Sequence, residues 1–218
     1  MSGQPLLLGH RGARATRTIP ENSFASFDLA LQHGCDGFEF DVRPTGCGSA
    51  IVCHDAKVGR VTVSRATCGQ LPDLPRLEDV LHRYGHCAFL DVELKVRGLE
   101  PLVLAALRQH PPQRDYVVSS FLPGVFMELK ARNASVPLGM ICQKPAQLAR
   151  WRKLPVDYLI AHRSLVSQKL VETIHQAGKR IFAWTVNKRE EMLRLAEWEV
   201  DAIISDDTAL LVGTIRST

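Results

Sequence analysis

The chain has no Lys/Arg run longer than two residues, no cysteine pair at C-x-x-C spacing, no apolar stretch near the ~20 residues that cross a bilayer, and no low-complexity tract. Each absence removes a class. Scattered basic residues with a formal net charge of +4 leave no basic face for nucleic acid, although the sign suits a small anionic ligand. Cys35, Cys47, Cys53, Cys68, Cys87 and Cys142 are too sparse for a disulfide scaffold, so reduced thiols in a cytoplasmic protein, most of them small core residues, are expected. The start, Met1-Ser2-Gly3-Gln4-Pro5, carries no charged region, and Leu6-Leu7-Leu8 is too short for a signal core. Aromatic residues make up only 6%, yet 45% hydrophobic content is enough to bury a full core. With no linker, residues 1–218 are expected to form one domain, a length that α/β barrels reach as single units.

What is present is organised around Phe38-Glu39-Phe40-Asp41-Val42. Side chains alternate across a strand, so the two Phe and the Val share one face while Glu39 and Asp41 share the other. Turn formers flank the stretch, Gly34 to Gly37 before it and Pro44-Thr45-Gly46 after it, which makes a short strand with its acids near the C-terminal end. Two carboxylates this close repel unless a positive group lies between them. A hard divalent cation, Mg²⁺ or Ca²⁺, is the simplest such group, and salt bridges are the plain alternative.

Before this strand, the apolar run from Leu6 to Gly9 ends in His10-Arg11-Gly12, as a parallel strand buried on both faces would, and a helix capped by Asn22 or Ser23 runs to Gly34. After it, Ala50-Ile51-Val52-Cys53 leads into His54-Asp55, and residues 56–75 read as loop with a brief strand before a helix over 77–84. The run 87–95 is a strand with Asp91, Glu93 and Lys95 on one face and Leu90, Val92 and Leu94 on the other. Helices over 99–109, 124–133, 145–153, 168–177, 188–197 and 207–212 then alternate with strands over 116–119, 137–142, 157–161, 180–186 and 201–204. Eight strands, each followed by a helix, predict a (β/α)₈ TIM barrel with a reduced insertion after the second strand.

Active sites of such barrels sit where the strands end. The polar strand ends are His10, Arg11, Glu39, Asp41, His54 from the extra segment, Glu93 and Lys95, with Ser119, Ser120, Trp184 and Asn187 from later strands. Three carboxylates from two neighbouring strands can hold one divalent ion, two imidazoles can serve as acid and base, and Arg11 with Lys95 can hold a phosphate. Trp184 is a candidate for the substrate pocket, with a core position as its plain alternative. His33, His82, His86, His110, His162 and His175 fall in helices or loops without such neighbours and are read as surface or structural.

In order along the chain, His10-Arg11-Gly12, Pro20-Glu21-Asn22-Ser23, Gly37 to Val42, His54-Asp55, Glu93-Leu94-Lys95, Ser119-Ser120-Phe121, Trp184-Thr185-Val186-Asn187 and Asp201 to Asp206 together resemble the glycerophosphodiester phosphodiesterases. The resemblance implies a metal-dependent TIM barrel that hydrolyses small glycerophosphodiesters to sn-glycerol 3-phosphate and an alcohol. It would put one divalent cation on Glu39, Asp41 and Glu93, acid/base roles on His10 and His54, and the phosphate beside Arg11 and Lys95. The substrate's own 2-hydroxyl would attack phosphorus and water would open the resulting cyclic phosphate. The chain departs from the family at Gly46-Cys47-Gly48, where an acid is common, at Arg76, where Thr is usual, and in the short segment after His54, which leaves the alcohol half open. No nucleic acid and no stable membrane association are expected, and nothing in the sequence sets an oligomeric state. Two readings compete. A lysophospholipase D or sphingomyelinase D-like lipid hydrolase would want an amphipathic Trp/Phe-rich loop, which is absent, and a phosphodiester-binding barrel without turnover would not need the intact set of acids and histidines. A metal amidohydrolase would need a His-x-His pair at the first strand, and none exists.

Overall fold

The computed structural model describes residues 4–16, 18–132 and 135–216; Met1-Ser2-Gly3, Asn133 at the expected end of one helix, the last residues of the expected domain and the side chain of Cys68 lie outside that description. β1 (Leu6–His10) leads through a polar loop to α1 (Phe24–Gln32). β2 (Gly37–Pro44) turns back into β3 (Ala50–Val52), and a small hairpin, β4 (Lys57–Val58) with β5 (Val61–Thr62), precedes α2 (Leu77–Tyr84). Alternation is then regular: β6 (Phe89–Leu94), α3 (Glu100–Gln109), β7 (Tyr116–Ser120), α4 (Pro123–Arg132), β8 (Leu138–Cys142), α5 (Pro145–Leu148), β9 (Tyr158–His162), α6 (Gln168–Gln176), β10 (Arg180–Trp184), α7 (Arg189–Glu197), β11 (Ala202–Ser205) and α8 (Thr208–Ile215).

Strands β1, β2, β6, β7, β8, β9, β10 and β11 pair in that order, and β11 pairs back to β1, closing an eight-stranded parallel barrel wrapped by helices. The period-two pattern of the strands divides the core into two shells. Leu8, Phe89, Val117, Ile141, Ile160, Phe182 and Ile204 fill the barrel interior, while Leu7, Phe38, Phe40, Leu90, Val92 and Leu94 pack outward under the helices. Phe27 of α1 stacks on Phe38 at 4.1 Å between ring centroids, and Tyr84 of α2 meets the same ring edge-on at 5.1 Å. Ser23 caps α1 by accepting from Ser26 N, which leaves Asn22 free for another task.

This packing sets the register that places the polar residues. His10 lies opposite Glu39 across β1 and β2, Glu39 opposite Asp91, and Asp41 opposite Glu93 across β2 and β6. β3 runs antiparallel along the end of β2, and Cys53 N donates to the Asp41 carbonyl at 2.9 Å, so His54 is carried to the barrel mouth.

Two expectations are revised. The helix expected over 145–153 is only the short α5 followed by a 3₁₀ turn at Trp151–Lys153. The chain there tightens to i→i+3 bonds, Arg150 N to Gln147 O and Lys153 N to Arg150 O, and the turn tucks Trp151 into the core. Cys35, Cys53, Cys87 and Cys142 are free thiols as expected, but Cys47 is disulfide-bonded. Gly46 N donates to Ala66 O at 2.9 Å, laying the turn that carries Cys47 against the segment near residue 66, a proximity that linear spacing does not reveal. Among the described residues no helix is long and apolar enough to cross a membrane.

The packing between β2 and β6 leaves no room at Gly37, where a Cβ would come within 1.9 Å of the Phe89 carbonyl oxygen. Gly37→Ala is expected to cost about 3 kcal/mol, whereas Gly213→Ala in α8, where an added Cβ has open space, should stabilise the fold by about 0.5–1 kcal/mol. Thermal melts of the two variants check both signs.

Candidate active site

After His10 the backbone enters the left-handed region at Arg11 (φ 56) and Gly12 (φ 82). A Cβ at Gly12 would lie 2.5 Å from Ser26 Oγ, so only glycine lets this turn press against α1. The turn is held by its own hydrogen bonds: the Arg11 carbonyl accepts from Asn22 N and Ser26 Oγ, both at 3.0 Å, and Arg11 N donates to Glu39 Oε2 at 3.1 Å. The Arg11 side chain is thereby aimed at the acids, with Nη1 donating to Glu21 Oε1 at 2.8 Å and Nε 3.1 Å from Asp41 Oδ2.

Glu39, Asp41 and Glu93 converge as the β2/β6 register requires. All three are buried, and each offers an oxygen within 4.8 Å of the others'. Lys95 Nζ sits 2.7 Å from Glu93 Oε1 and 3.1 Å from Asp41 Oδ1. Asn22, itself buried and at φ 56, donates from Nδ2 to Asp41 Oδ2 at 2.8 Å and accepts from Asp41 N at 3.2 Å. Asp91 lies one step deeper in the barrel and accepts from Ser119 Oγ at 2.5 Å.

Four buried carboxyl groups thus face two cations, and their protonation reflects the imbalance. Burial, then repulsion from Asp41 and Glu93, pushes Glu39 well above the ordinary range, and burial with Asp41 pushes Glu93 up to about 7. Burial also raises Asp91 to about 7 against the Ser119 hydrogen bond. Asp41 goes the other way: burial opposes its charge, but Lys95, Arg11 and the Asn22 hydrogen bond outweigh it. Glu39 Oε1 is buried and finds no partner in the protein. Three convergent hard oxygen donors, excess negative charge and one unmatched oxygen fit a divalent cation.

The histidines are each oriented by a carboxylate. His10 Nδ1 is 2.7 Å from Asp206 Oδ1, and Asp206 is fixed in turn by Asn187, whose Nδ2 donates to Oδ2 at 2.7 Å and whose Oδ1 accepts from Asp206 N at 2.9 Å. His10 Nε2 therefore faces the acids, 3.9 Å from Glu39 Oε2. His54 Nδ1 is 2.8 Å from Asp55 Oδ1, and Arg43 Nε holds the His54 carbonyl at 2.7 Å.

One cavity of about 680 Å³, counting its open mouth, brings together His10, Arg11, Glu39, His54, Glu93, Lys95 and Trp184, with Asp91 in its wall and Phe121, Ile141, Ile160 and Ile204 across from the charges. Asp41 backs this wall through Arg11 and Lys95. Of the strand-end candidates, Ser119, Ser120 and Asn187 do not line the cavity: Ser119 Oγ donates to Asp91, Ser120 Oγ to the Leu94 carbonyl, and Asn187 holds Asp206. Three others belong to the site although the sequence does not assign them to it: Asn22, which also reads as a cap; Asp206, which needs barrel closure to meet His10; and Asp91, whose inward face is legible but whose task is not. His162 ends β9, not a helix or loop as expected, and meets Trp184 edge-on at 5.6 Å without lining the cavity.

The raised carboxyls give a sign for the cation-free protein. Folded Glu39 and Glu93 hold protons that the unfolded chain releases at its ordinary carboxyl pKa near 4.5, so their contribution to stability is full below that value and is lost as pH rises through their raised values, about 7 for Glu93. A cation replaces those protons. Added Mg²⁺ or Ca²⁺ at 100 times its Kd is expected to contribute about 2.7 kcal/mol at pH ~7.5, a rise in Tm of roughly 5–10 °C, with a smaller rise at pH ~5.5 and none in Glu39→Gln. Thermal melts with chelator and with each ion measure it.

Comparison with known proteins gives the family and the fold. The sequence matches the glycerophosphoryl diester phosphodiesterase family over residues 10–99 and 81–210. It is 27% identical over 241 residues to the glycerophosphodiester phosphodiesterase of Caldanaerobacter subterraneus subsp. tengcongensis, spanning 97% of this chain and 98% of that protein. A phosphodiesterase of Oleispira antarctica, solved in complex with the product sn-glycerol-3-phosphate, superposes with a TM-score of 0.84 at 27% identity, covering 98% of this chain and 97% of that one. A glycerophosphodiester phosphodiesterase from Agrobacterium tumefaciens shares the fold at a TM-score of 0.85 and 24% identity, covering 98% and 100%. The matched stretches run together across nearly the whole barrel and contain every residue lining the cavity, and on that ground the chain belongs to the glycerophosphoryl diester phosphodiesterase family of hydrolases.

Proposed function

We propose that this enzyme, a phosphoric diester hydrolase, splits glycerophosphodiesters into sn-glycerol 3-phosphate and an alcohol with acid/base catalysis by His10 and His54. The observation that carries the reading is the single cavity in which two carboxylate-oriented imidazoles and two fixed cations meet Glu39 and Glu93, with Asp41 converging on those acids from behind its wall. A magnesium or calcium ion on Glu39, Asp41 and Glu93 would supply double positive charge against the phosphate oxygens. Arg11 and Lys95 hold the same phosphate from the protein side and offset the charge that builds on its oxygens as phosphorus is attacked.

His10 is buried, and Asp206 at Nδ1 leaves Nε2 as the acceptor toward the cavity. It removes the proton from the glycerol 2-hydroxyl, whose oxygen then bonds to phosphorus as the bond to the alcohol breaks. His54 is about one third exposed, at the mouth, and borders a second opening lined by Glu21, Lys57 and Gly59. It gives its proton to the departing alcohol and afterwards takes one from the water that opens the cyclic phosphate, while His10 returns its proton to the 2-oxygen. Atoms and protons balance over the two steps. The substrate is a small anionic diester, and no nucleic acid or stable membrane contact is part of the scheme. We place the enzyme in the cytoplasm on its free thiols, of which that of Cys87 is exposed.

Release of glycerol 3-phosphate from a panel of diesters, glycerophosphocholine and its acylated form included, is expected to stop with chelator and to return with Mg²⁺ or Ca²⁺. Glu39→Ala should remove it, and His10→Ala should lower kcat/KM by about 10²–10⁴, both variants retaining the wild-type circular dichroism spectrum. Retention of most activity in either overturns that residue's role. The two imidazoles separate by leaving group: a diester of an acidic phenol needs no proton on departure, so phenol release should be restored in His54→Ala while it stays slow in His10→Ala, and the later release of glycerol 3-phosphate should remain slow in both.

A further inference from the structure

Asp91 takes no part in that scheme, yet its carboxyl group is part of the cavity wall. It is 0% exposed, lies two residues below Glu93 on β6, and is not among the three acids whose oxygens converge. Oδ1 is satisfied by Ser119; Oδ2 is buried and finds no partner in the protein. Val117, Ile141, Ile160 and Ile204 occupy inward positions on other strands of the barrel, so an aliphatic residue would suit the place and a carboxyl group is costly there. Such a group is retained where a ligand supplies the missing hydrogen bond.

The spacing names the ligand group. Two strand residues rise about 6.6 Å, which separates Asp91 from Glu93, and Lys95 Nζ rests on the Glu93 carboxylate at 2.7 Å, so a phosphate held there by Lys95 and Arg11 lies roughly one three-carbon chain above Asp91. A glycerol unit descending from that phosphate would lay its carbons against Ile141, Ile160 and Ile204 and bring its terminal hydroxyl to the depth of Asp91. A hydroxyl both donates and accepts, so it pairs with either form of the carboxyl. We propose that Asp91 Oδ2 receives the terminal hydroxyl of the glycerol half and is a specificity-determining residue that selects glycerol diesters over diesters of other small alcohols. The inference rests on the phosphodiesterase reading above, and it seats the glycerol inside the barrel with the other alcohol at the mouth.

The test compares glycerophosphocholine with the 1,2-propanediol analogue, which keeps the attacking 2-hydroxyl and lacks only the terminal one. Wild type should favour the glycerol compound by roughly 100-fold in kcat/KM, because the analogue leaves Oδ2 unpaired. Asp91→Leu should lower the glycerol rate to that of the analogue and leave the analogue's rate within about threefold of wild type. Asp91→Asn, which keeps the shape and can still bond both Ser119 and a hydroxyl, should retain most of the preference, and it serves if the Leu variant does not fold. Calorimetry with glycerol 3-phosphate against 1,2-propanediol phosphate should show the same loss of discrimination in the Leu variant, with inorganic phosphate bound as in wild type. Equal rates on both substrates in wild type, or an equal fall on both in Asp91→Leu, overturns the proposal while the phosphodiesterase reading stands. Failure of wild type to hydrolyse any glycerophosphodiester overturns both.

Discussion

The arrangement that governs this protein is the meeting of like charges across one pair of strands. Glu39 faces Asp91 and Asp41 faces Glu93 in the β2/β6 register, a pairing that repels wherever both members are ionised. Two unit charges 4 Å apart at an effective dielectric near 20 repel by about 4 kcal/mol, so three mutually close carboxylates would cost on the order of 10 kcal/mol, comparable to the whole stability of a domain. The chain cannot carry that bare. It carries part of it with Lys95 between Asp41 and Glu93 and Arg11 beside Asp41, and part by keeping protons on Glu39 and Glu93. A divalent ion on Glu39, Asp41 and Glu93 would relieve what is left.

The register itself is imposed from the opposite face. Phe38, Phe40 and Val42 on β2, with Leu90, Val92 and Leu94 on β6, lie fully buried under α1 and α2, and a slip of one residue would exchange them for the acids. Hydrophobic burial outside the barrel therefore holds repelling groups together inside it. The loop after β1 shows a second form of the same trade. Arg11 and Asn22 both adopt positive φ, a conformation that ordinary side chains avoid, and both are held by hydrogen bonds whose other ends are Glu39, Asp41 and α1. Backbone strain there aims a guanidinium and an amide at one carboxylate.

How much of this could be read in the sequence follows from the range of each interaction. Period two is a local property, so the acidic front of β2, the charged row of β6 and the alternation of eight strands with helices were all legible. Strand-end polarity is local too, which is why His10, His54, Glu93 and Lys95 stood out. Contacts made by barrel closure are not local: Asp206 meets His10 across 196 residues only because β11 pairs with β1. Asn22 looked like a helix cap because caps are common there; that Ser23 takes the cap and frees Asn22 for Asp41 depends on the depth of the Arg11 turn. The disulfide at Cys47 and the tightening of residues 145–153 into α5 and a 3₁₀ turn likewise depend on neighbours distant in sequence or on one buried Trp.

The division of the cavity follows from the same topology. The charged wall comes from β1, β2 and β6, spatial neighbours, while Phe121, Ile141, Ile160, Trp184 and Ile204 follow or belong to β7 through β11 on the far side. An apolar wall facing an ionic one lowers the local dielectric, which strengthens each charge interaction made in the cavity. Trp184 shows how that wall is kept rigid. Its Nε1 donates to the Ile160 carbonyl at 3.2 Å and its ring meets Phe121 and His162 edge-on, so the indole is locked beside His10, 6.5 Å away between ring centroids. With Asp206 on one side and a fixed indole on the other, the His10 imidazole has little freedom to turn. A base must be positioned before its basicity matters; for the role proposed for His10, barrel closure supplies the carboxylate that orients the ring while the aromatic packing of β10 limits its motion.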